Sequence, residues 1–151
     1  MSAVFRLDAL QQALQSEGIV AGLKFLNDRV PHRLTAIYRL SGAAVHCVHV
    51  YDKQGELTTD RMAVVPLGES FCQFAMRDGV FLTDDTTADR RLDGNPNQGV
   101  VVCYHGLPLL DNDASLYGTL CHFDFVPQAL PDGEFDHLQQ AAREIARHLN
   151  R

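Results

Sequence analysis

The chain has 151 residues, of which 13 are Lys or Arg and 19 are Asp or Glu, giving a formal net charge of −6. One domain of this size buries ~70% of the surface of its unfolded chain, so folding requires neither a disulfide nor a metal. The negative charge argues against nucleic acid or a membrane surface as partner, and the sequence contains neither a membrane span nor a signal peptide pattern. We therefore expect a cytoplasmic protein whose four cysteines are free thiols.

Two helices are predicted at the start of the chain. The first covers residues 3–16, where apolar residues follow the a/d spacing of a helical seam. These residues are Ala3, Leu7, Leu10 and Leu14. Gly18 separates this helix from a second one over Ile19–Val30, which Pro31 ends because the residue before proline avoids the α region.

The apolar period then changes to two, which is typical of strands. Leu34–Leu40 and Ala43–Tyr51 flank the turn former Ser41-Gly42, and together they predict a β-hairpin. A poorly patterned stretch follows, up to Val65.

Short elements are predicted in the middle of the chain. Ser70 is a suitable helix cap, because its hydroxyl can accept an orphan amide, and the helix FCQFAMRD follows it. Val80–Thr83 predicts a short strand. Asp84–Gly99 is almost wholly polar, and a loop of this length in a compact domain is usually functional.

The last third of the chain predicts a hairpin and a helix. Val100–Pro127 holds two apolar runs around the turn sequence LLDNDAS. Glu134–Leu149 repeats the a/d seam spacing. Hairpin-linked strands with helices between them predict an α+β fold in which helices pack on a mostly antiparallel sheet.

Several segments, in order, resemble GAF domains, a sensory fold related to PAS. They are PLGESFCQFAM, FLTDDTTADRRL, CYHGLPLLDNDASLYGTLCHFDFVPQAL and DGEFDHLQQAAREIARHL. The resemblance runs from about Ile19 to the C-terminus. It implies a six-stranded antiparallel sheet with helices on both faces, and a small-molecule pocket between the sheet and the Ser70–Arg77 helix, roofed by Asp84–Gly99.

The pocket is expected to bind its ligand through residues of the helix, the loop and the hairpin. They are Ser70, Cys72, Asp85, Asp89, Arg90, Tyr104 and Cys121. The loop carries charges of both signs, which suit a zwitterion such as an amino acid; the alternative is a solvated loop held by local ion pairs. The sequence does not fix which strand face meets the pocket, because a slip of one residue exchanges Tyr104 with Cys103 and His105.

A second class of function is thiol catalysis. The chain also resembles free methionine-(R)-sulfoxide reductases, in which one cysteine attacks the sulfoxide and another resolves it; Cys72 and Cys103 would be the catalytic pair here. However, Asp84–Gly99 contains no cysteine where that family has its reactive one. The alternative is that Cys103 and Cys121 are small apolar core residues.

Two thiol–imidazole pairs raise the question of a metal. Cys47 with His49, and Cys103 with His105, alternate so that each pair is expected on one strand face, and thiolate with imidazole suits zinc. A four-ligand site would need ligands from both strand pairs to converge, and no CxxC spacing supports one. We therefore predict no metal and no cofactor.

The expected function is small-molecule sensing in bacterial signal transduction by a non-catalytic domain. Residues 1–151 are predicted to form this one domain, with residues 1–17 and 134–150 as helices that join two copies in a homodimer through a four-helix bundle. Signalling would pass to a separate partner, or the chain is the input domain of a longer protein. A purely structural dimerisation domain with a filled pocket is the third alternative.

Overall fold

The computed structural model describes residues 6–149. Its first two helices are α1 (Leu7–Glu17) and α2 (Ile19–Asn27), separated by Gly18 at φ 99°. Ala3 lies outside the described residues. Helix α2 ends three residues before the predicted Val30, because the chain tightens there into turns in which Arg29 and Val30 donate to carbonyls three residues back.

The sheet has six strands, all paired antiparallel, as predicted. They are β1 (Leu34–Ser41), β2 (Ala44–Asp52), β3 (Val65–Pro66), β4 (Phe81–Thr83), β5 (Cys103–Leu110) and β6 (Leu116–Asp124). Their order across the sheet is β3-β2-β1-β6-β5-β4. Strand β3 was not predicted from the sequence, since two residues are too few to show a period.

Helices cover both faces of the sheet, which confirms the predicted α+β architecture. On one face, α1, α2 and α4 (Glu134–Ala146) pack over a core that includes Ile37, Leu107 and Leu120. We call this the helix face. On the other, α3 (Cys72–Asp78) packs over a second core that includes Leu34, Tyr104 and Phe123, and we call this the cavity face. No helix within residues 6–149 is long and apolar enough to cross a bilayer.

The a/d seams of the terminal helices are buried inside the domain. Leu10 and Leu14 of α1, and Leu138 and Ile145 of α4, are at most 2% exposed and belong to the core of the helix face. Within residues 6–149, the seam residues are therefore used by the domain's own core and are not free to form a four-helix bundle. The homodimer therefore stays a prediction, without the seams as its support.

Gly118 sets how closely β1 and β6 approach. A Cβ atom on Gly118 would lie 1.8 Å from the carbonyl oxygen of Tyr38 and 2.9 Å from Cα of Arg39. Neither contact can be relieved by a side-chain rotation, since both atoms belong to the backbone of β1. Only glycine allows this pairing, which holds the centre of the sheet together.

Gly118→Ala should therefore lower the free energy of unfolding by at least ~2 kcal/mol, because the added methyl forces two paired backbones apart. Urea denaturation followed by circular dichroism measures the change. Gly68→Ala is the matched control: no atom lies within 4 Å of its added Cβ, so we expect a change within ~0.5 kcal/mol. Equal stability of the two variants would contradict the close approach.

Candidate functional site

A small cavity lies on the cavity face, between the sheet and the start of α3. Its volume is about 60 Å³. Its lining consists of apolar, aromatic and neutral polar side chains from the sheet, α3 and the following loop. These are Tyr38, Val45, Val65, Ser70, Phe71, Cys72, Asn97, Val101, Tyr104 and Phe123. Within residues 6–149, the side chains that line this cavity carry no charge.

The start of α3 places two of the predicted ligand-binding residues in this cavity. The Ser70 hydroxyl accepts the amide of Gln73 at 3.2 Å and donates to the carbonyl of Leu67 at 2.8 Å, so it caps the helix as predicted. Cys72 follows in the first turn. The sequence thus predicted the capped start of the helix, and both residues line the cavity; their role in ligand binding stays a prediction.

Hydroxyl groups from two strands surround the Cys72 thiol. Tyr104 Oη and Thr119 Oγ1 donate to Cys72 Sγ, at 3.6 Å and 3.2 Å. Burial nevertheless raises the pKa of the Cys72 thiol, because a thiolate would lose its hydration there, and the two hydrogen bonds offset only part of this effect. At neutral pH Cys72 is a thiol, which is a weak nucleophile.

Tyr104 forms the floor of the cavity, and Gly106 makes room for it. A Cβ on Gly106 would lie 2.7 Å from the Tyr104 hydroxyl. The Tyr104 ring therefore lies over Gly106, which follows it by two residues and is on the same face of the strand. Cys121 is on this face too, fully buried within the same core and outside the cavity lining. The structure therefore brings Ser70, Cys72 and Tyr104 to the cavity and places Cys121 nearby.

The charged residues of the Asp84–Gly99 loop lie elsewhere. Asp85, Asp89 and Arg90 flank an exposed surface depression, separate from the cavity. Asp85 accepts the Thr87 amide at 3.0 Å, and Asp89 pairs with Arg91 at 2.5 Å. This arrangement matches the alternative of a solvated loop held by local pairs, and of the loop only Asn97 lines the cavity.

The sheet separates the two cysteines of the predicted catalytic pair. Tyr104 faces the cavity, so Cys103 and His105 point to the helix face. Cys72 and Cys103 thus lie on opposite sides of β5 and cannot exchange thiols while the sheet is intact. The proposed pair is wrong, because the strand parity that the sequence left open turns Cys103 away.

A β-bulge also separates Cys47 from His49. The pairing of β1 with β2 shifts between Ile37 and Tyr38, so His49 lies opposite Ile37 while Cys47 lies opposite Tyr38. Ile37 belongs to the helix face and Tyr38 packs on the cavity face. The expectation that alternation places Cys47 and His49 together is therefore wrong, since the extra residue of a bulge breaks the alternation.

Cys103 and His105 join a buried polar cluster on the helix face. His32, in the connection between α2 and β1, places Nε2 at 2.8 Å from His105 Nδ1, and Asp84 Oδ1 lies 2.7 Å from His105 Nε2. Burial lowers the pKa of His32 to about 4 and raises the pKa of Cys103 to about 12. His32 could not be identified as a site residue from the sequence, because it is a single histidine after Pro31 with no Cys or His close to it in the chain.

A second hydrogen-bonded chain lies beside the first. Asn27 Nδ2 donates to Thr35 Oγ1 at 2.8 Å, and the Thr35 hydroxyl forms a hydrogen bond with His122 Nδ1 at 2.6 Å. The rings of His122 and His32 are 5.4 Å apart between centroids. Burial lowers the pKa of His122 well below its ordinary value.

No protein-family model matches the sequence, and a search of curated proteins finds no match. Solved structures do match. The GAF domain of an Acinetobacter phosphoenolpyruvate-protein phosphotransferase has a TM-score of 0.72 at 14% identity, over 93% of this chain and 87% of that one. The GAF domain of the Coxiella burnetii phosphotransferase has a TM-score of 0.67 at 14% identity, over 93% of this chain and 90% of that one.

An enzyme is also among the similar structures. Free methionine-R-sulfoxide reductase from Neisseria meningitidis, solved with its substrate, has a TM-score of 0.67 at 14% identity, over 97% of this chain and 92% of that one. Identities this low establish the fold and leave the activity open. The chain has the GAF fold, as its sequence motifs predicted.

Proposed function

We propose that this domain senses a small, uncharged, largely apolar molecule in the cavity beside α3 and acts in signal transduction without catalysis. The observation that carries the proposal is the lining of the cavity, in which aromatic and aliphatic side chains surround a few neutral polar groups. Ligand sites of this kind use apolar surface for affinity and a few hydrogen bonds for orientation. Ser70, Cys72 and Tyr104 supply those hydrogen-bonding groups.

The lining also defines the class of ligand. An amino acid or another zwitterion brings two charges, and a buried charge without a partner costs several kcal/mol. Asp85, Asp89 and Arg90 do not line the cavity and therefore offer no such partner there. This favours an uncharged ligand over the zwitterion that the charged loop first suggested.

The size of the cavity links binding to movement. A volume of about 60 Å³ is far below the ~300–1,000 Å³ of typical ligand pockets, so a ligand must displace part of the wall. We infer that the loop moves, because its residue in the cavity lining, Asn97, is held by an exposed hydrogen bond from Nδ2 to the carbonyl of Glu69 at 2.7 Å. Breaking this hydrogen bond on ligand binding would change the shape of the surface, and a second copy or a separate partner protein would bind to the changed surface.

Reduction of free methionine sulfoxide is the second candidate function, because reductases of this fold match nearly the whole chain. Two observations weigh against it. The Cys72 thiol is protonated at neutral pH, and the charged substrate finds no partner in the cavity lining. A resolving thiol would have to be Cys47 or Cys121, which share the face of Cys72.

Val101→Phe should fill the cavity and abolish ligand binding. In thermal-shift measurements with a panel of small uncharged aromatics such as indole and phenol, we expect at least one to raise the Tm of the wild-type protein. A ligand at 100 times its Kd adds ~2.7 kcal/mol of apparent stability. Methionine sulfoxide is the charged comparator and should leave the Tm unchanged.

Val100→Phe is the matched control, since Val100 is 59% exposed, adjacent in the chain and absent from the lining. It should keep the ligand-induced shift that Val101→Phe loses. A shift that survives in Val101→Phe, or stabilisation by methionine sulfoxide alone, would contradict the proposed ligand class.

The enzyme alternative makes its own prediction. With thioredoxin, thioredoxin reductase and free methionine-R-sulfoxide, the wild-type protein should cause no NADPH consumption above that of Cys72→Ser, because a protonated buried thiol attacks the sulfoxide poorly. Turnover by the wild type that Cys72→Ser abolishes would replace the sensor with the reductase.

A further inference from the structure

Three metal-binding side chains converge on the helix face, away from the cavity. One ligand atom from each of His32, Cys103 and His105 lies within 4.8 Å of the other two. All three residues are at most 1% exposed. Imidazole nitrogen and thiolate sulfur are the donors that Zn²⁺ prefers in proteins.

The hydrogen bonds of this cluster leave one lone pair without a donor. Asp84 is a carboxylate acceptor, so His105 donates to it through Nε2–H and has an unprotonated Nδ1. That Nδ1 accepts from His32 Nε2–H, which makes Nδ1 of His32 unprotonated as well. This Nδ1 is buried and has no hydrogen-bond partner, the only such side-chain atom among the described residues.

An unpaired polar atom in a fully buried side chain is destabilising and calls for an explanation. A chain of two neutral imidazoles and one carboxylate always has one acceptor too many. With a cation between the two rings, one lone pair of each imidazole lies on the ion and Nδ1 of His32 carries a proton. The cluster therefore has the lone pairs that a cation needs.

The surroundings also suit a metal. Ligating histidines usually donate their other N–H to a carboxylate, which fixes the orientation of the ring, and Asp84 stands in that relation to His105. The Asp84 side chain is 65% exposed while His105 is 1% exposed, so the cluster adjoins solvent on this side.

We propose that His32, Cys103 and His105 bind one Zn²⁺ ion through Nε2 of His32, Sγ of Cys103 and Nδ1 of His105, with water as the fourth ligand. The ion takes the place of the hydrogen bond between the two rings, so their nitrogens move apart from 2.8 Å to the ~3.3 Å that Zn–N bonds of ~2.0–2.1 Å require. As these bonds form, the proton on Nε2 of His32 is replaced by one on Nδ1 of the same ring, and Cys103 releases its thiol proton to solvent.

The site would connect elements that only the fold brings together. His32 precedes β1, while Cys103 and His105 begin β5, and β6 lies between these strands in the sheet. Bound zinc would cross-link them and stabilise the helix face. Its residues differ from those that line the cavity, so this proposal stands or falls separately from the proposed sensing function.

Cobalt substitution tests the thiolate ligand. Protein stripped of metal with EDTA under reducing conditions, dialysed and titrated with Co²⁺, should show visible ligand-field bands and a thiolate-to-cobalt charge-transfer band that saturate at one equivalent. Cys103→Ala should lose the charge-transfer band. Cys121→Ala, an equally buried cysteine on the other face of the next strand, should keep it.

Asp84→Asn tests the site with a variant whose change is at the surface. It should weaken Zn²⁺ binding by ~10–100-fold, measured by competition with a chromophoric chelator, since it removes the carboxylate that holds His105. Asp85→Asn changes the neighbouring carboxylate, which does not contact His105, and should leave the affinity unchanged. Should Cys103→Ala fail to fold, X-ray absorption of the wild-type cobalt protein identifies the ligands directly.

Three results would overturn the site: wild-type protein without a charge-transfer band, a band that persists in folded Cys103→Ala, or a cobalt coordination shell without sulfur. Equal Zn²⁺ affinity in Asp84→Asn and Asp85→Asn would remove Asp84 from the site. Loss of the zinc site would leave the thermal-shift results on Val101→Phe unaffected.

Discussion

The alternation of side chains along β5 is the constraint on which the rest of the structure depends. Tyr104 faces α3, while Cys103 and His105 on either side face α1, α2 and α4. The register between β6 and β1 is held at Gly118, which lies so close to the carbonyl of Tyr38 that there is no space for a Cβ atom. A shift by one residue would exchange an aromatic ring for an imidazole at the cavity floor, so this packing sets the chemistry of both faces.

The two faces consequently hold different kinds of polar group. On the cavity face, single neutral groups stand among aromatic side chains, and the Cys72 thiol is satisfied by hydroxyl donors from Tyr104 and Thr119. On the helix face, imidazoles form a chain that reaches the surface at Asp84. The first arrangement suits a small uncharged ligand, and the second suits a cation. One sheet thus keeps the two chemistries apart.

Local chemistry and periodicity predicted most of the elements and the α+β class, though not β3, and the resemblance of the motifs to GAF domains predicted the six-stranded sheet. Period-two runs gave the first hairpin, apolar runs around LLDNDAS gave the second, and Ser70 capped its helix. What the sequence could not settle was set by packing. The sequence does not show which residues of β5 face the cavity, because this strand is buried on both faces. It also does not show the bulge that separates Cys47 from His49, because the bulge does not change the pattern of apolar residues.

The candidate sites were harder to predict than the fold. The charged loop drew attention because its residues are close in sequence, yet they pair with one another at the surface. His32 and His105 are 73 positions apart and meet only after the sheet forms. Contacts between residues that are close in the chain can be predicted from the sequence, whereas a cluster assembled from distant strands cannot.

Strand β5 places Tyr104 with Cys72 on one face and Cys103 with His105 and His32 on the other. A crystal structure of the protein grown with zinc, with anomalous data collected at the zinc absorption edge, tests this separation most directly. We predict one anomalous peak bonded to Cys103, His105 and His32, and none in the cavity beside Cys72. A peak at Cys72, or Cys72 and Cys103 on the same side of the sheet, would contradict it.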